Sequence, residues 1–189
     1  MLPPSAARPV PDSVDENVEM EIDRLDVSAM EDDLVELSDL LIDAVEDGAS
    51  VGFLLPLTPE EAASWWSTIL AEVDSGRLTV LVAREDGEIV GTVQLRLASM
   101  PNQRHRADVA KLLVRRAWRR RGTARALMAS VESLARELGR SLLVLDTMAG
   151  SAAENLYRSL GWTEVGSIPD YAAWPDGKLG PTVIFYRRL

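Results

Sequence analysis

LLVRRAWRRRGTARALM, residues 112–128, sets six arginines (Arg115, Arg116, Arg119, Arg120, Arg121 and Arg125) around Gly122 in a chain of formal net charge −10. An apolar run closes at Val114, and apolar residues resume at helical spacing at Leu127, Met128, Val131, Leu134, Ala135 and Leu138, up to Gly139. The segment therefore reads as strand, loop, helix. Gly122, Thr123 and Ala124 open that helix with no Ser, Asp or Asn at the capping position, so its first N–H groups lack a side-chain partner. Small residues at a bare helix N-terminus ringed by cations suit a polyanion such as a pyrophosphate. The pattern lacks the Gly-Lys-Ser/Thr ending of a P-loop and the spaced glycines of dinucleotide folds, yet it still favours a nucleotide-bearing cofactor.

Outward from this stretch the chain alternates strands and helices. MEIDRLDV alternates as a half-buried strand, and AMEDDLVELSDLLIDAVEDG carries apolar residues at helical spacing up to Gly48. Thr58, Pro59 and Glu61 form a capping box that starts a second helix. RLTVLVARE and EIVGTVQLRLA flank the Asp86-Gly87 turn as a hairpin, and DVAKLLV is the strand that precedes the arginines. After the long helix, SLLVLDT is apolar on both faces, as a central parallel strand is, which implies a right-handed crossover from DVAKLLV. Ser151 and Glu154 read as a second capping box, for a short helix through Tyr157 and Leu160, and PTVIFYRRL supplies a last strand. Residues 1–18, with four prolines and no apolar periodicity, read as a disordered extension, and 19–189 as one domain.

Composition narrows the chemistry. The chain has 189 residues, 47% of them hydrophobic, and no cysteine, so a disulfide framework, a thiolate metal site and a cysteine-linked intermediate are excluded. No metal site is expected. The N-terminus has no signal-peptide pattern and no apolar run approaches the length of a membrane span, so a cytoplasmic protein without a membrane partner is expected. RRAWRRRGTAR could also bind nucleic acid, but an acidic chain repels the phosphate backbone, so no nucleic-acid partner is expected.

The same residues resemble a known family. LLVRRAWRRRGTARALM is similar to the acetyl-CoA-binding motif of the GNAT N-acetyltransferases, an Arg/Gln-x-x-Gly-x-Gly/Ala pattern matched by Arg119, Gly122 and Ala124, and AENLYRSLGW resembles the second motif, with Asn155 and Tyr157 in place. Within that superfamily, PNQRHRADVAKLLV, LLVLDT and IPDYAAWPDG resemble the acetyltransferases related to tabtoxin-resistance proteins. Arg120 departs from the pattern, in which many members have glycine. The resemblance implies an α/β fold: a mixed, mostly antiparallel sheet flanked by helices, whose parallel fourth and fifth strands splay apart around the pantetheine arm. It also implies that main-chain groups of Leu112, Leu113 and Val114 and the side chain of Asn155 meet that arm. The N–H groups of Arg119, Arg120, Arg121, Gly122, Thr123, Ala124 and Arg125 would hold the pyrophosphate.

The implied chemistry has its own requirements. Near pH 7 an alkyl ammonium of pKa about 10.4 is neutral to the extent of about one part in a thousand, and only the neutral amine attacks a thioester. A base, an oxyanion-binding N–H and an acid for the departing thiolate are all useful. Tyr157 is the expected acid, against the commoner role of a packing tyrosine. Asp146 ends an apolar strand, as base or orienter of the amine, or as the opening of an Asx-turn before Gly150. His105, the only histidine, faces either the acceptor or solvent. Trp65, Trp66 and Trp162 read as core or interface. The family resemblance implies that Phe53 and Tyr171, with Asp170, Trp174 and Asp176, border an acceptor groove. The acids Glu31, Asp32, Asp33, Glu36, Asp39, Asp43, Glu46 and Asp47 would draw a cation there. These features favour a small-molecule primary amine as acceptor and direct transfer in a ternary complex. The alternatives are a protein or peptide acetyltransferase and a silent CoA-binding regulator; monomer and homodimer are both open.

Overall fold

The computed structural model describes residues 20–189, so the expected extension at 1–18 lies outside the described residues. A seven-stranded sheet runs in the order β1-β2-β3-β4-β5-β7-β6. Its strands are β1 (Glu21–Leu25), β2 (Leu78–Glu85), β3 (Glu88–Leu97), β4 (Arg106–Val114), β5 (Leu142–Met148), β6 (Thr163–Ala173) and β7 (Leu179–Arg188). The helices are α1 (Val27–Asp32), α2 (Leu34–Glu46), α3 (Pro59–Thr68), α4 (Leu70–Asp74), α5 (Thr123–Glu137) and α6 (Ala152–Ser159). All neighbouring strands are antiparallel except β4 and β5, which are parallel and joined through α5.

Both faces of the sheet are covered, which is why β2 is buried from Leu78 through Ala83 instead of alternating. Leu78, Val80 and Val82 join a core with α1, α2 and α3, whereas Leu81 and Ala83 join one with α5. Trp66 is buried in the first and donates from its indole N–H to the Leu37 carbonyl at 3.0 Å, fastening α3 to α2. Trp162 is buried in the second and donates to Glu132 of α5 at 3.1 Å; Glu132 in turn pairs with Arg187 of β7 at 2.9 Å. The Thr58–Glu61 capping box forms with both of its hydrogen bonds.

Three expectations are corrected. The long first helix is two, broken at Asp33, whose carboxylate pairs with Arg84 of β2 instead of capping α2. The second is broken at Ile69, which turns into the core. β6 has no counterpart in the sequence reading: none of its residues is buried, so this edge strand lacks the alternation that marks a half-buried one.

The strand that positions the site is β4. It pairs with β5 only at Arg106–Leu142, Ala107–Leu143 and Asp108–Val144. Beyond these pairs each strand follows its outer neighbour: β5 stays on β7 along its whole length, and β4 stays on β3. The β3–β4 ladder carries a bulge, since Thr92 pairs with Leu113 and Gln94 with Ala110, leaving Lys111 and Leu112 opposite Val93 alone. Lys111 takes φ +51, and the bulge bends β4 away from β5. The start of α5 is pressed against the same region by Gly91 of β3, where a Cβ would lie 2.9 Å from the Leu113 carbonyl oxygen and 3.2 Å from Thr123 Cγ2.

We predict that Gly91→Ala costs about 1–3 kcal/mol of stability, the usual penalty for overpacking, and weakens acetyl-CoA binding by displacing Thr123. Urea unfolding and ligand titration measure both; a variant normal in each would show that α5 can shift freely on the sheet.

Candidate active site

The split between β4 and β5 opens into two cavities. The first, about 510 Å³, runs along Leu112, Leu113 and Val114 of β4 to the start of α5 at Gly122, Thr123, Ala124 and Arg125, with α6 on its other side through Ala152, Ala153 and Leu156. The second, about 330 Å³, lies between Lys111 and Asp146, lined by Val51 and Gly52 from one loop and by Tyr171 and Trp174 at the end of β6. The cavities share Ala49, Leu112, Met148, Ser151 and Ala153, so a group at their junction is reached from both.

The residues lining the first cavity suit the anionic end of a coenzyme A molecule. Gly122 has φ +96 and caps α5 with no side-chain hydrogen bond, leaving the first-turn N–H groups open to the cavity. A Cβ on Gly122 would meet nothing within 4 Å, so the glycine answers to its left-handed backbone and to the approach of a ligand, not to crowding by the protein. Arg120, where the family motif often has glycine, also takes a left-handed φ, +63. It lines the cavity beside Arg125 and has no ion-pair partner among the described residues.

Most of the other arginines are occupied by the protein itself. Arg115 donates to the Ile89 carbonyl at 2.7 Å, and Arg116 pairs with Asp43 at 2.7 Å and Glu46 at 3.5 Å. Burial pushes the Asp43 carboxyl up, but hydrogen bonds from the Arg116 N–H and guanidinium outweigh it and hold its pKa below the usual value. Arg119 lines the cavity while bound to Asp47, and Arg121 lies 4.0 Å from Glu85.

Comparison with known proteins agrees with this geometry. Residues 42–162 match the model of the acetyltransferase (GNAT) family. The chain belongs to the GNAT family. It is 32% identical, over 153 residues, to an uncharacterized N-acetyltransferase from the hisH–hisA intergenic region of Azospirillum brasilense, a match covering 76% of this chain and 89% of that one. The fold resembles that of the ribosomal-protein-alanine N-acetyltransferase of Brucella melitensis, with TM-score 0.73, 24% identity and coverage of 89% of this chain and 99% of that one. It also resembles yncA of Salmonella typhimurium, solved with acetyl-CoA, with TM-score 0.71, 21% identity and coverage of 90% and 94%. The protein is an acetyl-CoA-dependent N-acetyltransferase.

In this GNAT protein the expected site residues divide between the cavities. Tyr157, 5% exposed and packed against Trp162 and Phe185, presents its side chain to the second cavity. Its hydroxyl has no hydrogen-bond partner among the described residues. Burial raises the phenol's pKa well above the ordinary tyrosine value, and the Asp146 carboxylate adds to the rise. Asp146 lies within β5 opposite Ile184, and the Thr182 hydroxyl sits 3.0 Å from its carboxylate and 2.9 Å from the Thr147 carbonyl. It makes no Asx-turn: it lies inside the β5–β7 ladder and no backbone N–H among the described residues donates to its carboxylate, while the Gly150 N–H goes to Glu154, at 2.5 Å. Consequently Ser151 and Glu154 are not a reciprocal capping box. Ser151 accepts from the Glu154 N–H at 3.2 Å while the Glu154 carboxylate serves Gly150.

Other residues depart from expectation. His105 lies exposed at the closed end of the β4–β5 pair, where its carbonyl accepts from Ser141 and Leu142, about 20 Å along the strand from Lys111 at 3.3 Å per residue. Asn155 is exposed outside both cavities, its amide donating to the Ser151 carbonyl at 3.4 Å. Arg121 likewise lines neither. Phe53 stands behind the Gly52 wall, edge-on to Trp65 at 5.4 Å between ring centres. The acids of the first helices do not border the second cavity: Asp33, Asp43, Glu46 and Asp47 pair with arginines, and Glu36 accepts from the Ile89 N–H at 2.8 Å. Asp170 and Asp176 lie outside it too, the latter paired with Lys178 at 2.9 Å.

Sequence reasoning missed Lys111, although a lysine inside the otherwise apolar VAKLLV, residues 109–114, was a visible signal.

We predict that acetyl-CoA raises the melting temperature of this protein and that Gly122→Glu abolishes the shift, by adding bulk and negative charge where N–H groups await an anion. A folded variant with the full shift would remove Gly122 from the cofactor site.

Proposed function

We propose that the protein transfers the acetyl group directly to the primary amine of a small molecule held in the 330 Å³ cavity. The observation that carries this reading is the size and enclosure of that cavity, which lies at the small end of the roughly 300–1,000 Å³ of small-molecule sites and joins the coenzyme cavity through a shared wall. The resemblance to tabtoxin-resistance-like acetyltransferases points the same way.

Acetyl-CoA supplies an activated acetyl thioester. The residues of the chain supply the remaining requirements. Asp146, on the cavity wall and steadied by Thr182, faces the acceptor amine and takes up its proton, directly or through water. The bulge at Lys111 and Leu112 takes main-chain groups of β4 out of the β3 ladder, where a free N–H can stabilise a developing oxyanion. Tyr157 holds at its phenolic oxygen the proton that a departing thiolate requires. Its raised pKa keeps that proton in place through the neutral and mildly alkaline range. With no cysteine in the chain, no thioester to the enzyme intervenes.

A panel of small amines, amino acids and peptides assayed for CoA release tests the acceptor class, and acetylation of peptides with no small amine accepted would overturn it. Tyr157→Phe should lower kcat by roughly 10²-fold while leaving acetyl-CoA binding intact, the signature of a lost general acid; near-normal turnover would hand the role to water. The raised pKa also carries a sign. A tyrosine of ordinary pKa about 10 would begin to lose its proton near that pH, so wild-type kcat should rise with pH as the amine deprotonates and show no decline up to about pH 10. Asp146→Asn should depress turnover most at the acid end of the profile, where the amine is most protonated; a profile of unchanged shape would leave Asp146 without a part in proton transfer.

A further inference from the structure

The acceptor cavity carries one cation and one anion on its wall, Lys111 and Asp146, on opposite sides of the β4–β5 split. Asp146 has work in the function proposed above. The Lys111 side chain has none there, yet the fold holds it in an expensive way. It occupies the bulge with φ +51, a conformation that costs a non-glycine residue of the order of 1–2 kcal/mol, and such strain persists where the surroundings impose it. Its Nζ sits over the Trp65 ring, 5.1 Å from the centroid, and 5.9 Å from that of Phe53, so two aromatic faces fix the amine. Gly52 passes above it, where a Cβ would come within 3.8 Å of Nζ.

Despite this placement, the ammonium lacks an anion. Among the described residues no carboxylate lies within 4.0 Å of Nζ, and no side-chain or main-chain oxygen accepts a hydrogen bond from it. The groups that act on it electrostatically are Arg96, which disfavours its charge, and Asp146, which favours it; burial disfavours it more than either. A half-buried ammonium with three donors and no acceptor is a costly arrangement that an anionic ligand would relieve.

We propose that Lys111 is the anion-binding residue of the acceptor site: the acceptor is an amino-acid-like zwitterion whose carboxylate pairs with Lys111 Nζ while its amino group faces Asp146. The inference rests on the acceptor-cavity reading above. It assigns Lys111 to specificity and binding, with the aromatic pair Phe53 and Trp65 as its support. A monoamine leaves Lys111 unpaired and places a second cation in the same small space, so the site selects against it by repulsion as well as by the missing contact.

The test compares matched probes that differ only in the carboxylate: L-phenylalanine with phenethylamine, L-methionine with 3-(methylthio)propylamine, L-lysine with cadaverine, and 4-aminobutyrate with propylamine. For the best pair, wild-type kcat/KM should favour the carboxylate-bearing member by about 10²-fold, mostly through KM, in line with the cost of losing one partner of a desolvated charge pair. Lys111→Met should bring that ratio close to one, and Lys111→Arg should retain most of it. Calorimetric binding of the same probes to the CoA-bound protein should show the same preference without turnover. If wild type accepts the plain amines as well as the amino acids, Lys111 does not read a carboxylate, while the small-molecule reading stands; this comparison needs no variant. If Lys111→Met lowers kcat for both members alike, Lys111 serves as a base or a structural clip, and the proposal also fails. If only peptides are acetylated, both readings fall.

Discussion

Three residue pairs hold β4 to β5, and the site depends on the pairing ending there. A parallel pair continued to the strand ends would close the sheet and leave no space for a ligand. Instead β5 is committed to β7 over its full length, and β4 is bent away by the two residues set against Val93. The main-chain groups thus withheld from a ladder line a cleft with two arms, the larger proposed for the coenzyme and the smaller for the acceptor. The antiparallel neighbours and the two cores on either face make this tolerable, because they supply the rigidity that the missing β4–β5 hydrogen bonds do not.

Charge is arranged so that the coenzyme end is positive without being repulsive. Six arginines within eleven residues would repel one another. The acidic face of α2 takes up Arg116 and Arg119, and a backbone carbonyl takes up Arg115, which leaves Arg120 and Arg125 beside the bare start of α5. Exposed ion pairs of this kind contribute little stability. Their consequence is positional, since they hold α2 against the loop that ends at Gly122. The smaller cavity contrasts with this, carrying a single charge of each sign among aromatic and small residues.

Of the four non-glycine residues with left-handed φ among the described residues, Lys111 and Arg120 line the two cavities, as does Gly122 at the cap of α5, whereas Asp86 and Asp170 lie outside both. Gly122 adopts its conformation at no steric cost, whereas the lysine and the arginine are held in theirs by the packing around them.

How much of this was legible follows from which features are local. The strand, loop and helix of residues 112–128, the hairpin at Asp86-Gly87, the capping box at Thr58 and the buried run of SLLVLDT are set by neighbouring residues, and the sequence alone determined them along with the family. The breaks at Asp33 and Ile69 and the exposed strand β6 were not legible, because they answer to Arg84, to the core and to β7, all distant in the chain. Placement in the site followed the same division. Tyr157, Asp146 and the Gly122 turn could be picked out from motif and spacing. That His105 lies at the closed end of a strand pair, that Asn155 turns to its own helix and that the acids of α2 answer arginines was decided only when β4 and β5 parted. Lys111 shows the reason most directly: its residue type was visible, but its orientation comes from a bulge, and a bulge is a mismatch between two strands that neither strand contains by itself.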